Sequence, residues 1–187
     1  MEIGQPRNPF RCSEWLLTKR VKYMAIFDRL IFVSHSDTCR GPMAKGAYMQ
    51  IVPKRHYEVM SCGLVCLFPE PLNQKAEAVM ISNGVHLDGH TSTAMADMNL
   101  EGAFIVALTE EDFEDASQRF GNLARVHLLE DLLEEKIEYP ELYGKELSEY
   151  GKCFEKIYED MEKLASYIVK HGIFDEEDGA DDVSEEE

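Results

Sequence analysis

Short apolar runs alternate with helical segments along most of this chain, and that alternation limits the folds it can adopt. Residues 30–33, Leu-Ile-Phe-Val, form a continuous apolar run, which is typical of a parallel strand buried on both faces. Further strands are predicted at residues 57–61, 104–108 and 125–129. Strands separated by helices pair in parallel through right-handed crossovers. We therefore predict an α/β fold with three layers around a doubly wound, four-stranded parallel sheet.

Helices are predicted between these strands from end signals and apolar spacing. One begins near Arg40, with Pro42 in its first turn, where a missing N–H costs nothing. A second covers residues 72–83 and is closed by Gly84, and a third follows the third strand. Residues 148–169 repeat apolar side chains at helical spacing, so we expect this segment to pack one apolar face against the core.

Charge is segregated between the two ends of the chain. Residues 1–24 contain five Lys and Arg against two Glu, whereas residues 175–187 contain nine acidic side chains. The acidic end has too few apolar groups to offset the entropy that ordering would cost. We expect a basic N-terminal extension at 1–24, one α/β domain at 25–172 and an acidic disordered tail at 173–187.

Composition limits the partners and the location that we expect. The formal net charge of −17 opposes nucleic-acid binding, because it repels a polyanion and no dense basic patch overrides it. No stretch approaches the roughly 18 apolar residues of a membrane-spanning helix, so no membrane partner is expected. Five scattered cysteines suit a reducing cytoplasm, and the dispersed histidines indicate no metal. We expect a cytoplasmic protein without cofactor, of unspecified oligomeric state.

The polar segment after the first strand is the leading candidate for a functional site. It joins a buried strand to a helix N-terminus, at the sheet edge where such folds bind ligands. Free N–H groups and the helix dipole favour an anion there, and small polar residues let the loop curl around it. Arg40 can close the ring with a bidentate fork to phosphate oxygens. The predicted phosphate-binding residues are Ser34, His35, Ser36, Asp37, Thr38, Cys39 and Arg40.

Residues 30–44, reading LIFVSHSDTCRGPMA, resemble the opening of the low-molecular-weight protein tyrosine phosphatases, whose signature is Cys, five residues, Arg and then Ser-Pro. Further landmarks follow in the family's order. Residues 61–63, 83–90 and 139–144 resemble its Ser-Ala-Gly, its HGI-x-L-x-GH segment and its Pro-Asp-Pro-Tyr-Gly loop. The resemblance covers residues 25–172 and implies the family's fold, with phosphate or a phosphotyrosine-containing protein as partner.

Two of the three catalytic positions that the resemblance implies hold other residues in this chain. Ser34 stands where the family has its nucleophilic Cys, Glu141 stands where it has the general acid Asp, and Arg40 is retained. A helix N-terminus lowers the pKa of a thiol, whereas a serine hydroxyl needs an adjacent base, for which His35 and Asp37 are the near candidates. Asp37 also replaces the family's Asn, and it weakens anion binding unless it is turned away or protonated.

Three functions remain open on these residues. The first is a catalytically impaired homologue that binds phosphate or a phosphorylated protein through residues 34–40. The second is an active phosphatase of slow turnover that uses Ser34, or water held by Asp37 or Glu141. An arsenate reductase-like scaffold is an alternative beside it, although the related arsenate reductases use additional, differently placed cysteines. The third makes the two charged ends the functional parts and the fold a scaffold. Cys39 is predicted to be a packed thiol, since Lys45 rather than Arg lies six residues after it.

Overall fold

The computed structural model describes residues 23–25, 27–171 and 174–176, with side chains described for 27–171. In chain order, the strands are β1 (Tyr23–Ala25), β2 (Arg29–Ser34), β3 (Glu58–Gly63), β4 (Ala103–Ala107), β5 (Val126–Leu128) and β6 (Phe174–Glu176). The helices are α1 (Arg40–Ile51), α2 (Gln74–Ser82), α3 (Glu110–Phe120), α4 (Leu129–Leu133) and α5 (Leu147–Lys170). Four strands form one parallel sheet in the order β3-β2-β4-β5, which confirms the predicted fold class.

Strand β2 is buried on both faces of this sheet. Leu30 and Phe32 belong to the larger apolar core, together with residues of α1, α2, α4 and α5. Ile31 and Val33 belong to a second core, to which α3 contributes. All four side chains are fully buried, and burying one such side chain contributes about 1.5–3 kcal/mol. Helices therefore cover both faces of the sheet, which explains why the run 30–33 is continuously apolar.

Helix α2 starts later than the predicted segment 72–83, because Asn73 caps it. The side-chain oxygen of Asn73 accepts hydrogen bonds from two N–H groups of the first turn, at 3.0 and 3.3 Å. The helix ends before Gly84 as predicted, and the φ of +75° at this glycine suits a residue without Cβ. The sequence does not predict α4 or the 3₁₀ turn Met95–Asp97, since each is too short to show a period.

Strands β1 and β6 pair antiparallel as a separate two-stranded ribbon. β1 overlaps the predicted basic extension, and β6 lies within the stretch predicted to be disordered. The remainder of both ends, residues 1–22 and 177–187, lies outside the described residues, so the domain boundaries stay predictions. Among the helices that the structure describes, none has the length and apolar character needed to cross a membrane.

The parallel sheet brings three connecting segments to one edge. Since β2, β3 and β4 run in the same direction, the loops that follow them leave the sheet at their common carboxyl end. These loops are residues 34–39, residues 64–73 and the start of α3 at residue 109. The predicted phosphate loop therefore has two neighbouring segments that can support it or complete a site.

Candidate functional site

Neighbouring segments bind the backbone carbonyls of the loop 34–40. The carbonyls of Ser34 and His35 accept hydrogen bonds from N–H groups of the loop after β3, at 3.1 and 2.8 Å, and that of Thr38 accepts one from Asn73 at 2.8 Å. By contrast, the N–H groups of residues 36–41 donate no hydrogen bond to any residue that the structure describes. A run of free N–H donors is the property of an anion-binding nest.

Helix α1 adds its own N-terminus to these donors. Its N-cap residue, Cys39, makes no side-chain capping bond, and no acidic residue occupies the first turn. The helix dipole therefore remains available to an anion. The predicted start of this helix at Arg40 is confirmed.

Ser34 lies at the end of β2, and its side chain lines the cleft beside the loop. The residue is only 3 % exposed, and within the described part of the chain its Oγ has no hydrogen-bond partner. Neither His35 nor Asp37 therefore holds this hydroxyl as a general base would. An unassisted serine hydroxyl stays protonated and is a weak nucleophile.

Asp37 does not line the cleft but is fully buried behind the loop, with a left-handed φ of +54°. Its Oδ2 accepts a hydrogen bond from the N–H of Thr93 at 3.0 Å, and its carbonyl oxygen accepts one from Nε2 of His90 at 2.9 Å. Burial raises the pKa of the Asp37 carboxyl, and its hydrogen-bonding neighbours and His90 partly oppose that rise. Asp37 is thus turned away from the cleft, and only its backbone N–H can reach a bound anion.

The cleft beside the loop has a volume of about 390 Å³. Sequence reasoning found Glu141 and the loop itself, but missed other residues that line this cleft: Asn73, Glu111, Asp112, Tyr143 and Tyr150. A signal for two of them was present, because Glu111 and Asp112 follow β4 at the same carboxyl edge as the loop. The structure therefore brings together five separate parts of the chain around one cleft: the loop itself, the end of the segment after β3, the start of α3, the segment before α5, and α5.

Arg40 lines the cleft with a half-buried side chain. Its guanidinium makes no hydrogen bond and no ion pair with any residue in the described ranges. A guanidinium offers a planar pair of donors that matches two phosphate oxygens. Together with the free N–H groups of residues 36–41, Arg40 gives the cleft the donors that a phosphate group needs.

Glu141 lines the same cleft from the loop before α5, and its side chain is exposed. Its Oε1 accepts a hydrogen bond from the N–H of Tyr143 at 3.0 Å. This bond lowers the pKa of the Glu141 carboxyl, and the positive charge of Arg40 lowers it further. A general acid must carry a proton at the working pH, so the local structure works against that role for Glu141.

The four cysteines in the described ranges are not activated thiols. Burial raises the pKa of Cys39 to about 12 and that of Cys153 to about 11, and it also raises the pKa of Cys62 and of Cys66. The thiolate is the reactive form of cysteine, so these groups are poor nucleophiles. The geometry accords with Cys39 as a packed thiol and does not favour arsenate reductase chemistry.

Comparison with known proteins gives both a family and a set of similar folds. The family model described as low molecular weight phosphotyrosine protein phosphatase matches residues 29–173. A search of curated protein sequences finds no match to this chain.

Several solved structures resemble the chain. A cysteine-to-serine mutant of the YwlE arginine phosphatase, described with a phosphorylated active site serine, is 22 % identical and covers 76 % of this chain and 96 % of its own, with a TM-score of 0.69. A low molecular weight protein tyrosine phosphatase from T. tengcongensis is 22 % identical and covers 74 % and 97 %, with a TM-score of 0.68. The YwlE arginine phosphatase from Geobacillus stearothermophilus is 19 % identical and covers 76 % and 94 %, with a TM-score of 0.69. At these identities the likeness shows a shared fold.

Proposed function

The chain belongs to the low molecular weight phosphotyrosine protein phosphatase family, and from that premise we propose that it is a catalytically impaired member that binds phosphate or a phosphorylated protein. The loop 34–40 forms the binding site, and a phosphotyrosine-containing protein of the cytoplasm is the partner. The observation that carries the proposal is the Ser34 hydroxyl, which is buried, lines the cleft and has no base within hydrogen-bond reach among the described residues.

Two features support retained binding. The N–H groups of residues 36–41 have no acceptor in the described structure, and the Arg40 guanidinium has no ion-pair partner there. Donors that point to a shared cleft and lack protein partners favour an anionic ligand. Asp37, which could have opposed the anion directly, has its carboxyl behind the loop instead of in the cleft.

Two other features support impaired catalysis. Ser34 lacks both the low pKa of a thiol and a base that would activate its hydroxyl. The Glu141 carboxyl has a lowered pKa, so it is ionised where a general acid should be protonated. Attack and leaving-group protonation are therefore both weakened, while the binding groups are intact.

The turnover of an aryl phosphate tests the catalytic half of this proposal. We expect no measurable metal-independent hydrolysis by the natural chain. Ser34→Cys introduces the family's thiol beside the first turn of α1 and should raise the rate above that of the natural chain, whereas Ser34→Ala should match the natural chain. Robust hydrolysis by the natural chain that is lost in Ser34→Ala would contradict impairment.

The binding of phosphate or vanadate tests the other half. Arg40→Ala removes the only cleft-lining arginine of the described residues and should weaken binding about 10- to 100-fold, as expected for the loss of a charge-assisted bidentate contact. Arg125→Ala is the matched control, because Arg125 is exposed at the amino end of β5, away from the loop's edge of the sheet. Equal binding by the natural chain and Arg40→Ala would exclude the anion site.

A second candidate function, a phosphatase of slow turnover, is favoured by one observation. The similar YwlE arginine phosphatase mutant is described with a phosphorylated active site serine, so a serine in that protein accepts a phosphoryl group. If Ser34 does the same, the product is an alkyl phosphate with a poor leaving group and no nearby base, so its hydrolysis is slow. Intact-mass measurement after incubation with phosphoramidate distinguishes the two functions, because only the second expects a covalent phosphoryl group that disappears in Ser34→Ala.

A further inference from the structure

The cleft beside the phosphate loop has an excess of acidic side chains. Glu111 and Glu141 are exposed, and Asp112 is buried in the cleft wall, where its Oδ2 accepts a hydrogen bond from Thr109 at 2.6 Å. The cationic side chain that lines the same cleft is Arg40, joined by the histidine of the loop when that group is protonated. The side chains around the site are therefore net negative at pH 7.

These carboxylates compete with a phosphate for the positive charge of Arg40. Burial raises the pKa of the Asp112 carboxyl, and the hydrogen bond from Tyr143 lowers that of Glu141. The Arg40 guanidinium lies close enough to both carboxyls to favour their ionised forms. A bound phosphate dianion that contacts Arg40 is thus repelled by the acidic side chains at the same time. The net charge of −17 adds a long-range field of the same sign. A free phosphate, which has no cation of its own to pair with these carboxylates, should therefore bind this cleft less tightly than a phosphate that has cations beside it.

We propose that the cleft binds a phosphorylated residue that is flanked by Lys or Arg in a protein segment. The phosphate contacts the free N–H groups of residues 36–41 and Arg40, and the flanking cations pair with Glu111 and Glu141. The inference rests on the proposed function and names the partner's chemistry. An independent observation marks a ligand site among these acids: Ser34 lines the cleft and is only 3 % exposed, and its buried Oγ has no hydrogen-bond partner in the described residues.

Matched phosphopeptides test this preference on the full chain. Three phosphotyrosine peptides of equal length, flanked by lysines, serines or glutamates, are titrated by fluorescence anisotropy beside their unphosphorylated forms. We expect the lysine-flanked phosphopeptide to bind about tenfold tighter than the serine-flanked one, and the glutamate-flanked one to bind most weakly. The differences should shrink as salt is raised, because exposed charge pairs are screened.

Two charge-neutralising variants locate the effect. Glu111→Gln removes one exposed carboxylate of the cleft and should reduce the preference for lysine flanks about threefold. Glu58→Gln makes the same chemical change at the exposed amino end of β3, opposite the edge that carries the loop, and should leave the preference unchanged. Both variants alter the net charge equally, so their difference reports the cleft alone.

The outcomes separate this inference from the proposed function. Phosphopeptides that bind better than their unphosphorylated forms, but equally for all three flanks, overturn the inference and leave the proposed function standing. An equal loss of preference in Glu111→Gln and Glu58→Gln also overturns it, because the general field would then account for the effect. Phosphorylated and unphosphorylated peptides that bind alike overturn the proposed function itself.

Discussion

Asp37 supports the loop from behind, and its charge would oppose the phosphate that we propose as the ligand of the loop. Its left-handed backbone and its contacts with Thr93 and His90 hold the loop from behind. The carboxyl is fully buried, and its Oδ1 has no partner among the described residues. When this group ionises, a buried negative charge lies close to the free N–H groups that should receive a phosphate. An asparagine in the same place would make similar hydrogen bonds without the charge.

Asp37→Asn should therefore increase phosphate affinity, and more so as the pH rises. Burial raises the pKa of the Asp37 carboxyl, so the natural chain keeps a neutral group there at low pH and gains the opposing charge as the pH passes that pKa. The charge of Lys45, and that of His90 when it is protonated, opposes the rise. We expect the phosphate dissociation constant of the natural chain, divided by that of Asp37→Asn, to be near one at low pH. At pH values above the Asp37 pKa this ratio should be about ten.

Calorimetry at each pH measures both dissociation constants. The ionisation of phosphate affects both proteins equally, so it does not change their ratio. The same sign applies to stability: a carboxyl whose pKa is raised by folding binds its proton more tightly in the folded state, so stability is lost as the pH rises through that pKa. Asp37→Asn should lack this loss in urea unfolding. A ratio that does not change with pH would show that Asp37 remains in one protonation state.

Glu141→Gln should leave the rate of any residual aryl phosphate hydrolysis nearly unchanged, and it should strengthen phosphate binding. The hydrogen bond from Tyr143 lowers the pKa of the Glu141 carboxyl, so at neutral pH it is an anion that repels phosphate and has no proton to donate. Removing the charge should tighten binding about threefold, the usual size of an exposed charge effect. A fall in aryl phosphate hydrolysis of more than tenfold in Glu141→Gln would instead identify it as a working acid.

Sequence reasoning identified the residues of the loop but not their directions. Ser34 and Arg40 follow from the position of the loop after a buried strand, and the structure places both side chains at one cleft. The outcome at Asp37 depends on a backbone φ and on Thr93, which lies far away in the chain. Contacts of that kind depend on how distant loops pack against each other, and the spacing of residues in the sequence does not predict this packing.

At the scale of elements, the loop depends on the segment that follows β3. That segment donates hydrogen bonds to the carbonyls of Ser34 and His35, and its last residue, Asn73, donates one to Thr38. Because these bonds occupy the carbonyls, the loop can keep its N–H groups free for a ligand. Asn73 also caps α2, so one residue connects the stability of a helix with the geometry of the site.

Asn73→Ala should lower the free energy of unfolding by about 1 kcal/mol, because it removes the side-chain oxygen that caps α2. Asn73→Ser is the matched control, since serine caps a helix nearly as well and adds no charge to the cleft. Urea denaturation of the three proteins measures the difference. Equal stability of the Ala and Ser variants would mean that the capping bonds contribute nothing measurable.

The main elements were predictable because each has a strong local pattern. The run 30–33 is apolar on both faces, and the long stripe of α5 repeats with the helical period, so both were predicted with nearly the observed limits. Helix α4 has five residues, fewer than two turns, and no period can appear over that length. The apolar pattern predicts the start of α2 too early, because Leu72 is buried in the core although its backbone precedes the cap.

At the scale of the whole molecule, charge is distributed unevenly. The net charge is −17, and residues 177–187 alone contain seven acidic side chains. A strongly negative protein attracts basic partners over long distances, and this attraction accelerates association more than it changes affinity. The acidic end and the cleft can therefore act on the same basic partner at different stages, the acidic end during approach and the cleft after contact.

Removal of residues 177–187 separates these two stages. The shortened chain should bind the lysine-flanked phosphotyrosine peptide with an affinity within about threefold of the full chain, because Arg40 and the free N–H groups of the loop are untouched. Its association rate, measured by stopped-flow fluorescence, should be slower at low salt and should converge with that of the full chain as salt is raised, because screening removes long-range attraction from both. Urea unfolding of the shortened chain controls for lost stability. If the shortened chain still folds but binds no peptide, the acidic end is the recognition element and the fold is only a scaffold. That result would contradict the role that we propose for the cleft.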